Sequence, residues 1–473
     1  MTNCRKLFSL VAVPMLLLNT GCQDTGKKEI QDEKYNILFI AVDDLRPELG
    51  CYGQEHIHSP NIDDLASEGV QFNRAYTQYP TSGPSRASIL TGIHVTDHQA
   101  EQMEEDFITL PGYLKENGYT TLSLGKVFHH MTDCQEGWSR EPWRSDSIYH
   151  GEKDWARYNT YDLWQNDSSK KYINEETHRG PYNEKAVVPD TAYQDGRLAR
   201  KSITELQKLK KSDSPFFLAC GFWRPHLPLN APEKYWDLYE REEIEIAGNR
   251  YPPKNLPEQV RISDEIFAYG RVEGNYNTEA FHRETRHAYY ACVSYVDAQV
   301  GKIMNALEKY GMDENTIVVL WGDHGWHLGE HDFWGKHNTL ENALRSPLII
   351  KAPGIQPGQR DQLAGLVDIY PTLIDLTGLE KTSHLEGTSL GKVMRDKNAP
   401  GRDAVFCTYR GGNCVITDRY LYTEWNEDDS TVARMLFDHK KDPNENKNVA
   451  VEPQYKDVIE KHSRILKQSS PYY

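Results

Sequence analysis

The residues able to do chemistry fall in a few tight groups. Asp43-Asp44 and Asp323-His324 each follow directly on an apolar run. Hard carboxylate donors favour calcium or magnesium over zinc, although an acidic pair after a strand also serves as a loop start or helix cap. Ser82-Gly83-Pro84-Ser85-Arg86-Ala87-Ser88-Ile89-Leu90-Thr91-Gly92 reads, taken alone, as a Ser/Pro turn entering a helix. Lys126 and His129 share one short segment, His226 sits in Arg224-Pro225-His226-Leu227-Pro228, and Lys336 in Trp334-Gly335-Lys336-His337. Lysine can clamp developing negative charge, and histidine can carry a proton near neutral pH. An isolated histidine is more often merely solvated. His327, His331 and His337 crowd the stretch after Asp323. A zinc site would need three or four nitrogen or sulfur ligands in tetrahedral array, so lining a substrate pocket is their expected role.

Something must hold these groups together. Tyr35 to Val42 is continuously apolar, the pattern of a strand buried in a parallel sheet. Ser214 to Cys220 and Thr316 to Trp321 behave alike. Helical patterns lie between them at Asn61 to Glu68, Leu110 to Asn117 and Ala288 to Lys309, with Tyr289, Tyr290 and Tyr295 at core-packing spacing. Strands alternating with helices predict an α/β sheet flanked by helices on both faces. Ligands of such sheets bind beyond the carboxyl ends of the strands, where the acidic and histidine groups fall. After about residue 375 the texture changes. Short strands at Val405 to Tyr409, Cys414 to Thr417 and Tyr420 to Thr423, then a closing helix from Ala450 to Gln468, predict a small α+β subdomain over 376–473 with a short antiparallel sheet, following a catalytic domain over 35–375.

The net charge of −16 argues against nucleic acid as a partner. An anionic substrate must then be met by a local basic pocket. Arg5 and Lys6 precede the apolar run Leu7 to Leu18, which is shorter than the about 20 residues a membrane span needs. Asn19-Thr20-Gly21-Cys22 follows, so residues 1–22 read as a signal peptide of the bacterial lipoprotein type with Cys22 as a lipid anchor, although Asn19 stands where an aliphatic residue is usual. Residues 23–34 read as a polar tether. The expected location is the periplasm or cell surface of a bacterium, or otherwise the medium. Export permits disulfides. Cys407 and Cys414 flank the turn Tyr409-Arg410-Gly411-Gly412, which could join them; two free buried thiols are an equal reading.

The segment from Ser82 to Gly92 closely resembles the signature of the formylglycine-dependent sulfatases, in its serine-type form. The resemblance continues in order from about residue 35 to 445, through Asp43-Asp44, Gly125-Lys126-Val127-Phe128-His129, Arg224-Pro225-His226-Leu227-Pro228, Gly322-Asp323-His324-Gly325-Trp326, Trp334-Gly335-Lys336-His337, Val367 to Leu373 and Leu436 to Pro443. Lysine and histidine three residues apart at 126 and 129, together with the stretch after Asp323, are most similar to the iduronate-2-sulfatase branch.

The resemblance implies an alkaline-phosphatase-like sandwich, with a large mixed sheet flanked by helices, and hydrolysis of sulfate esters on carbohydrates. It implies that a radical maturase converts Ser82 to formylglycine (3-oxoalanine), which is hydrated to a diol. One hydroxyl attacks sulfur and the other later helps expel sulfate. Asp43, Asp44, Ser82, Asp323 and His324 would ligate calcium, or magnesium. Arg86 and Lys126 would hold the diol, Lys336 the sulfate oxygens, His226 would protonate the leaving sugar oxygen, and His129 would act as base in release. The implied substrate is a sulfated oligosaccharide or polysaccharide, with the 2-O-sulfate of a uronic acid foremost and algal ulvan or carrageenan as the alternative. Two rivals stand further off: a phosphomonoester or phosphonate hydrolase of the same fold, which would need ligands for a second zinc, and a non-catalytic glycan-binding lipoprotein.

Overall fold

Alternation inside the apolar runs decides which way each strand faces. In β1 (Asn36–Val42), Leu38, Ile40 and Val42 join one buried cluster while Ile37, Phe39 and Ala41 join another. A strand buried on both faces must lie in the middle of a sheet covered by helices on each side. The computed structural model, which describes residues 34–96, 107–130, 133–145, 163–173, 179–261, 263–270, 276, 278–428 and 430–473, has that arrangement. The expected signal peptide with Cys22, and the tether up to residue 33, lie outside the described residues.

The large sheet continues with β2 (Val70–Tyr76), β3 (Thr120–Gly125), β4 (Phe216–Phe222), β5 (Thr316–Gly322), β6 (Arg345–Lys351), β7 (Gly358–Arg360) and β8 (Ala364–Gly365), in the order β7-β2-β6-β5-β1-β4-β3, with β8 also paired to β2. β6 runs antiparallel to β2 and β5, and every other pairing is parallel. The sheet is therefore mixed, and β1, β2, β3, β4 and β5 all end on the same edge. One face is covered by α1 (Pro60–Glu68), α4 (Gln194–Leu209) and α5 (Glu279–Lys309), the other by α2 (Ser82–Thr91), α3 (Leu110–Glu116) and α6 (Ile369–Thr377). Tyr289, Tyr290 and Tyr295 are buried along α5. That helix starts nine residues before the expected Ala288, capped by the Thr278 hydroxyl, which accepts from the Phe281 amide. Its first turns are polar yet bury His282, Arg286 and His287, which hides them from a hydrophobic pattern.

A second, antiparallel sheet follows as a meander, β9 (Val405–Tyr409), β10 (Gly412–Ile416), β11 (Tyr420–Glu427) and β12 (Ser430–Asp438), with α7 (Lys456–Ser469) on one face through Leu466. The other face packs Cys407, Ile416 and Phe437 with Tyr76 of β2 and with Leu344. Cys407 and Cys414 stand opposite each other across β9 and β10, and both are free thiols. Residue 375 falls inside α6, and Tyr35–Tyr473 forms one compact unit. No helix among the described residues is long and apolar enough to cross a membrane.

Candidate active site

The common edge of β1 to β5 gathers the charged residues. β1 runs into Asp43-Asp44, β5 into Asp323-His324, β3 into Lys126, and β2 reaches Ser82 at the start of α2 after a short loop. Successive side chains of a strand point to opposite faces. Asp44 escapes that rule because its backbone adopts the left-handed conformation, φ 57°, so that both carboxylates join one group. The Tyr289 hydroxyl donates to the Asp44 carbonyl at 2.7 Å, and the Asp44 amide donates to Asp323 Oδ1 at 3.0 Å. Gly221 permits the neighbouring turn, since a Cβ there would lie 2.0 Å from the Lys126 carbonyl oxygen.

Three cations answer three carboxylates. Arg86 donates to Asp43 Oδ1 at 3.0 Å and to Asp323 Oδ2 at 2.9 Å, Lys126 donates to Asp43 Oδ2, and Lys336 donates to Asp44 Oδ1 at 2.7 Å. All six side chains are buried. Burial alone would push the Asp43 carboxyl up, but Lys126 and Arg86 outweigh it and hold it well below the usual range. Burial pushes the Lys126 ammonium down, with Asp43 recovering part of the loss. Burial also works against the charge on Lys336, and Asp44 and Glu265 reverse it, so that its pKa is raised.

Asp43, Asp44, Asp323 and His324 each offer a donor atom within 4.8 Å of the others. His324 donates from Nδ1 to the Gly325 carbonyl at 2.9 Å, which fixes the tautomer and leaves the Nε2 lone pair facing Asp44 Oδ1 at 3.4 Å and Asp323 Oδ1 at 3.6 Å. Asp44 Oδ2 is buried with no hydrogen-bond partner. A buried carboxylate oxygen without a donor is costly, and a divalent cation would remove that cost. The donor set fits a hard ion. Ser82 Oγ lies 3.1 Å from both Asp43 Oδ1 and His324 Nε2, at the N-terminal end of a ten-residue helix whose dipole favours negative charge.

Around this floor stands a rim of loops. His129 lies over Gly83, where a Cβ would be 3.7 Å from its Cγ. Burial, then Lys126 and His130, push the His129 imidazole well below its ordinary value. His226 donates from Nδ1 to the Leu227 carbonyl at 2.8 Å and presents Nε2 to Glu265 Oε1 at 3.2 Å. Burial disfavours its charge, yet Asp44 and Asp43 outweigh burial and raise its pKa. Asp44, His226 and Glu265 form a second group with metal-ligand spacing. The Lys336 ammonium donates to Asp44 at 2.7 Å and pairs with Glu265 by charge at 3.2 Å. Lys336 thus places a positive charge beside two of the three members of that second group.

The structure thus brings Asp43, Asp44, Ser82, Arg86, Lys126, His129, His226, Asp323, His324 and Lys336 to one place. Of the three further histidines, only His337 reaches the rim, where its ring stacks on Tyr409 at 5.9 Å. His327 and His331 are corrected from pocket lining to core: both are buried, and both rings pack against Phe333. Their proximity to Asp323 in sequence misleads, because the chain turns inward at Trp326. Sequence reasoning missed Glu265, which lies in no recognisable motif, and the Tyr289 hydroxyl, which was read as packing alone.

Comparison with known proteins follows the same lines. A family model described as Sulfatase matches residues 35–379, and one described as N-sulphoglucosamine sulphohydrolase, C-terminal, matches residues 329–470. The chain is 33% identical to human iduronate 2-sulfatase over 430 residues, covering 77% of this chain and 73% of that protein. It is 32% identical to a sulfatase of Formosa agariphila, covering 98% and 92% respectively. Among solved structures, the phosphonate monoester hydrolase of Agrobacterium radiobacter superposes with a TM-score of 0.72 at 22% identity, covering 92% of this chain and 95% of that one, a likeness of fold.

Proposed function

The chain belongs to the sulfatase family, and we propose that it removes the 2-O-sulfate of a uronic acid in a glycosaminoglycan or another sulfated polysaccharide, using a formylglycine made from Ser82 by a radical maturase. It is a sulfuric ester hydrolase acting on carbohydrate sulfate esters. The observation that carries the finer reading is Ser82 Oγ, 3.1 Å from Asp43 and from His324, at a helix N-terminus amid buried Arg86, Lys126 and Lys336. Similarity to iduronate 2-sulfatase, 33% identical, supports the uronate; algal ulvan or carrageenan is the alternative.

Asp43, Asp44, Asp323 and His324, with the converted Ser82, would hold calcium or magnesium, which supplies polarisation of the sulfate and a lower pKa for the attacking hydroxyl. The hydrated aldehyde supplies the nucleophile and the route of sulfate release. The chain's own groups do the rest. Arg86 neutralises Asp43 and Asp323, Lys126 neutralises Asp43, and both would hold the hydrated aldehyde at residue 82. Lys336 binds sulfate oxygens and concentrates positive charge where negative charge develops. His226 Nε2 gives a proton to the departing sugar oxygen, and His129, kept neutral by burial, takes one in release. The environments hold those two pKa values apart, the pattern expected of an acid and a base in one site. A lysine charge beside Asp44 and Glu265 disfavours a second cation in that group, as a two-zinc phosphatase would need. Export and a lipid anchor at Cys22 belong to the same reading and place the enzyme where polysaccharide is met.

The test is a panel of defined sulfated disaccharides with the matured protein, read by released sulfate, alongside mass spectrometry of the Ser82 peptide. Release from a 2-O-sulfated uronate and a peptide lighter by two hydrogens, or its hydrate, are expected. An unmodified serine in fully active protein overturns the formylglycine mechanism.

A further inference from the structure

We infer that Arg144 is a positioning residue for His129, whose guanidinium fixes the backbone that carries the imidazole over Gly83, next to residue 82. The inference rests on the reading of His129 as the base in sulfate release. Lys126 to His129 follow β3 directly and belong to no helix or strand. Their carbonyls have no ladder to join, so they must be met in another way. Two arginines meet all four in sequence. Arg86 Nη1 donates to the Lys126 carbonyl and, at 3.0 Å, to the Val127 carbonyl. Arg144 Nη2 donates to the Phe128 carbonyl at 3.3 Å and to the His129 carbonyl at 3.0 Å. A guanidinium suits this task because its planar fork presents several donors at once.

The chain delivers Arg144 to that place by pairing. β3 is an edge strand of the large sheet, and the stretch from Ser139 to Trp143 runs along it. The Ser139 amide donates to the Thr121 carbonyl and the Trp143 amide to the Ser123 carbonyl, each at 2.9 Å, and the Gly125 amide donates to the Trp143 carbonyl at 2.7 Å. Arg144 comes next, so its side chain starts beside the point where β3 gives way to Lys126. The side chain is buried, with Cζ 5.7 Å from the centre of the Trp223 ring, and the same ring lies 4.8 Å from the Lys126 ammonium. Trp223 is fixed in turn by its amide, which donates to Asp195 at 2.9 Å. An aromatic face and two carbonyls thus hold the guanidinium. Without it the half of the segment nearest Lys126 keeps Arg86, while the half that carries His129 loses the donor shared by its two carbonyls.

The experiment compares Arg144→Ala, Arg144→Lys, His129→Gln and the double variant Arg144→Ala/His129→Gln. In matured enzyme, a displaced base costs about 10- to 100-fold. Release follows departure of the alcohol, so Arg144→Ala should lower kcat by that much on sugar and aryl sulfates alike, with KM falling in step and kcat/KM held within about 3-fold. Arg144→Lys keeps a cation beside Trp223 and a donor for the carbonyls, and should recover part of the loss. The double variant should be no more than about 3-fold slower than His129→Gln, since nothing is left to position. A second readout needs no formylglycine. In the Ser82 form, Arg144→Ala should speed amide hydrogen exchange in the peptide spanning 124–131 by about 10-fold or more and leave β1 and β5 unchanged. A fall in kcat/KM would make Arg144 a substrate contact, an additive double variant would separate it from His129, and exchange that quickens everywhere or nowhere would deny the local hold; each overturns the inference while leaving His129 as base. If His129→Gln itself turns over normally, the base reading falls and the role of Arg144 falls with it.

Discussion

On the floor of the pocket, Asp43, Arg86, Lys126 and Asp323 have no solvent exposure, whereas His129, His226, Glu265 and His337 on the rim keep part of theirs. The floor hangs on strand ends and the start of α2, and Asp43, Arg86 and Asp323 each meet at least two partners there. The rim comes from loops. Charges held by regular structure cannot relax when a partner is removed, while loop residues can. The floor should therefore fail completely and the rim by degrees.

The largest effect should come from the floor. Asp43→Asn and Asp323→Asn each remove a hard anionic donor and should lower sulfate release by about 10³-fold or more, a loss equivalent to the several kcal/mol a bound metal contributes. The alanine variants should also unfold more easily, by about 3–5 kcal/mol in urea titration, because Arg86 would be left buried beside a missing carboxylate. Near-normal activity in either asparagine variant would erase the distinction between floor and rim. Chelation tests the same floor without mutation. Turnover should stop, calcium should restore it, and the melting temperature should fall on chelation, since an ion bound only by the folded state stabilises it.

A smaller, conditional effect belongs to the rim. His226→Gln should slow sugar sulfates by about 10²- to 10⁴-fold and good aryl leaving groups far less. The sign of its pH dependence follows from the raised pKa. The acid works while protonated, so activity on sugar sulfates should fall as pH rises through a value above the ordinary 6.5 or so. His129, held well below that range, must be neutral to act as base, so the opposing limb should lie well on the acid side. A basic limb that persists unchanged in His226→Gln would assign it to another group.

The same contrast explains what was legible in the sequence. Floor residues announce themselves because each follows an apolar strand or sits in a continuous motif, so position along the chain predicts position in space. β1, β4 and β5 were readable for the same reason. Glu265 was not, because it reaches His226 and Lys336 only after two long excursions of the chain have been folded back. The early turns of α5 were hidden by buried polar residues, and His327 and His331 were misread because nearness to Asp323 in sequence was taken for nearness to the site. β12 was missed because its first half, Ser430 to Arg434, is largely exposed and polar.

The smallest effect concerns the outermost layer. Arg410 lies at the tip of the hairpin between β9 and β10, exposed, with its guanidinium 5.5 Å from the Tyr409 ring. Tyr409 in turn stacks on His337, whose neighbour Lys336 reaches Asp44, so the hairpin borders the pocket through one aromatic layer. If the substrate carries a uronate, its carboxylate can meet Arg410 across that layer. An exposed ion pair is worth about 0.2–1 kcal/mol, which is at most about 5-fold in binding. Arg410→Ala should therefore raise KM for a 2-O-sulfated uronate by no more than about 5-fold, leave kcat alone, and leave aryl sulfates without a carboxylate untouched. Added salt should shrink the difference, because an exposed pair is screened. Glycosaminoglycan disaccharides that carry and lack the carboxylate separate the cases: a KM change on both would make Arg410 a support for Tyr409, and no change on either would leave the tip outside the pocket.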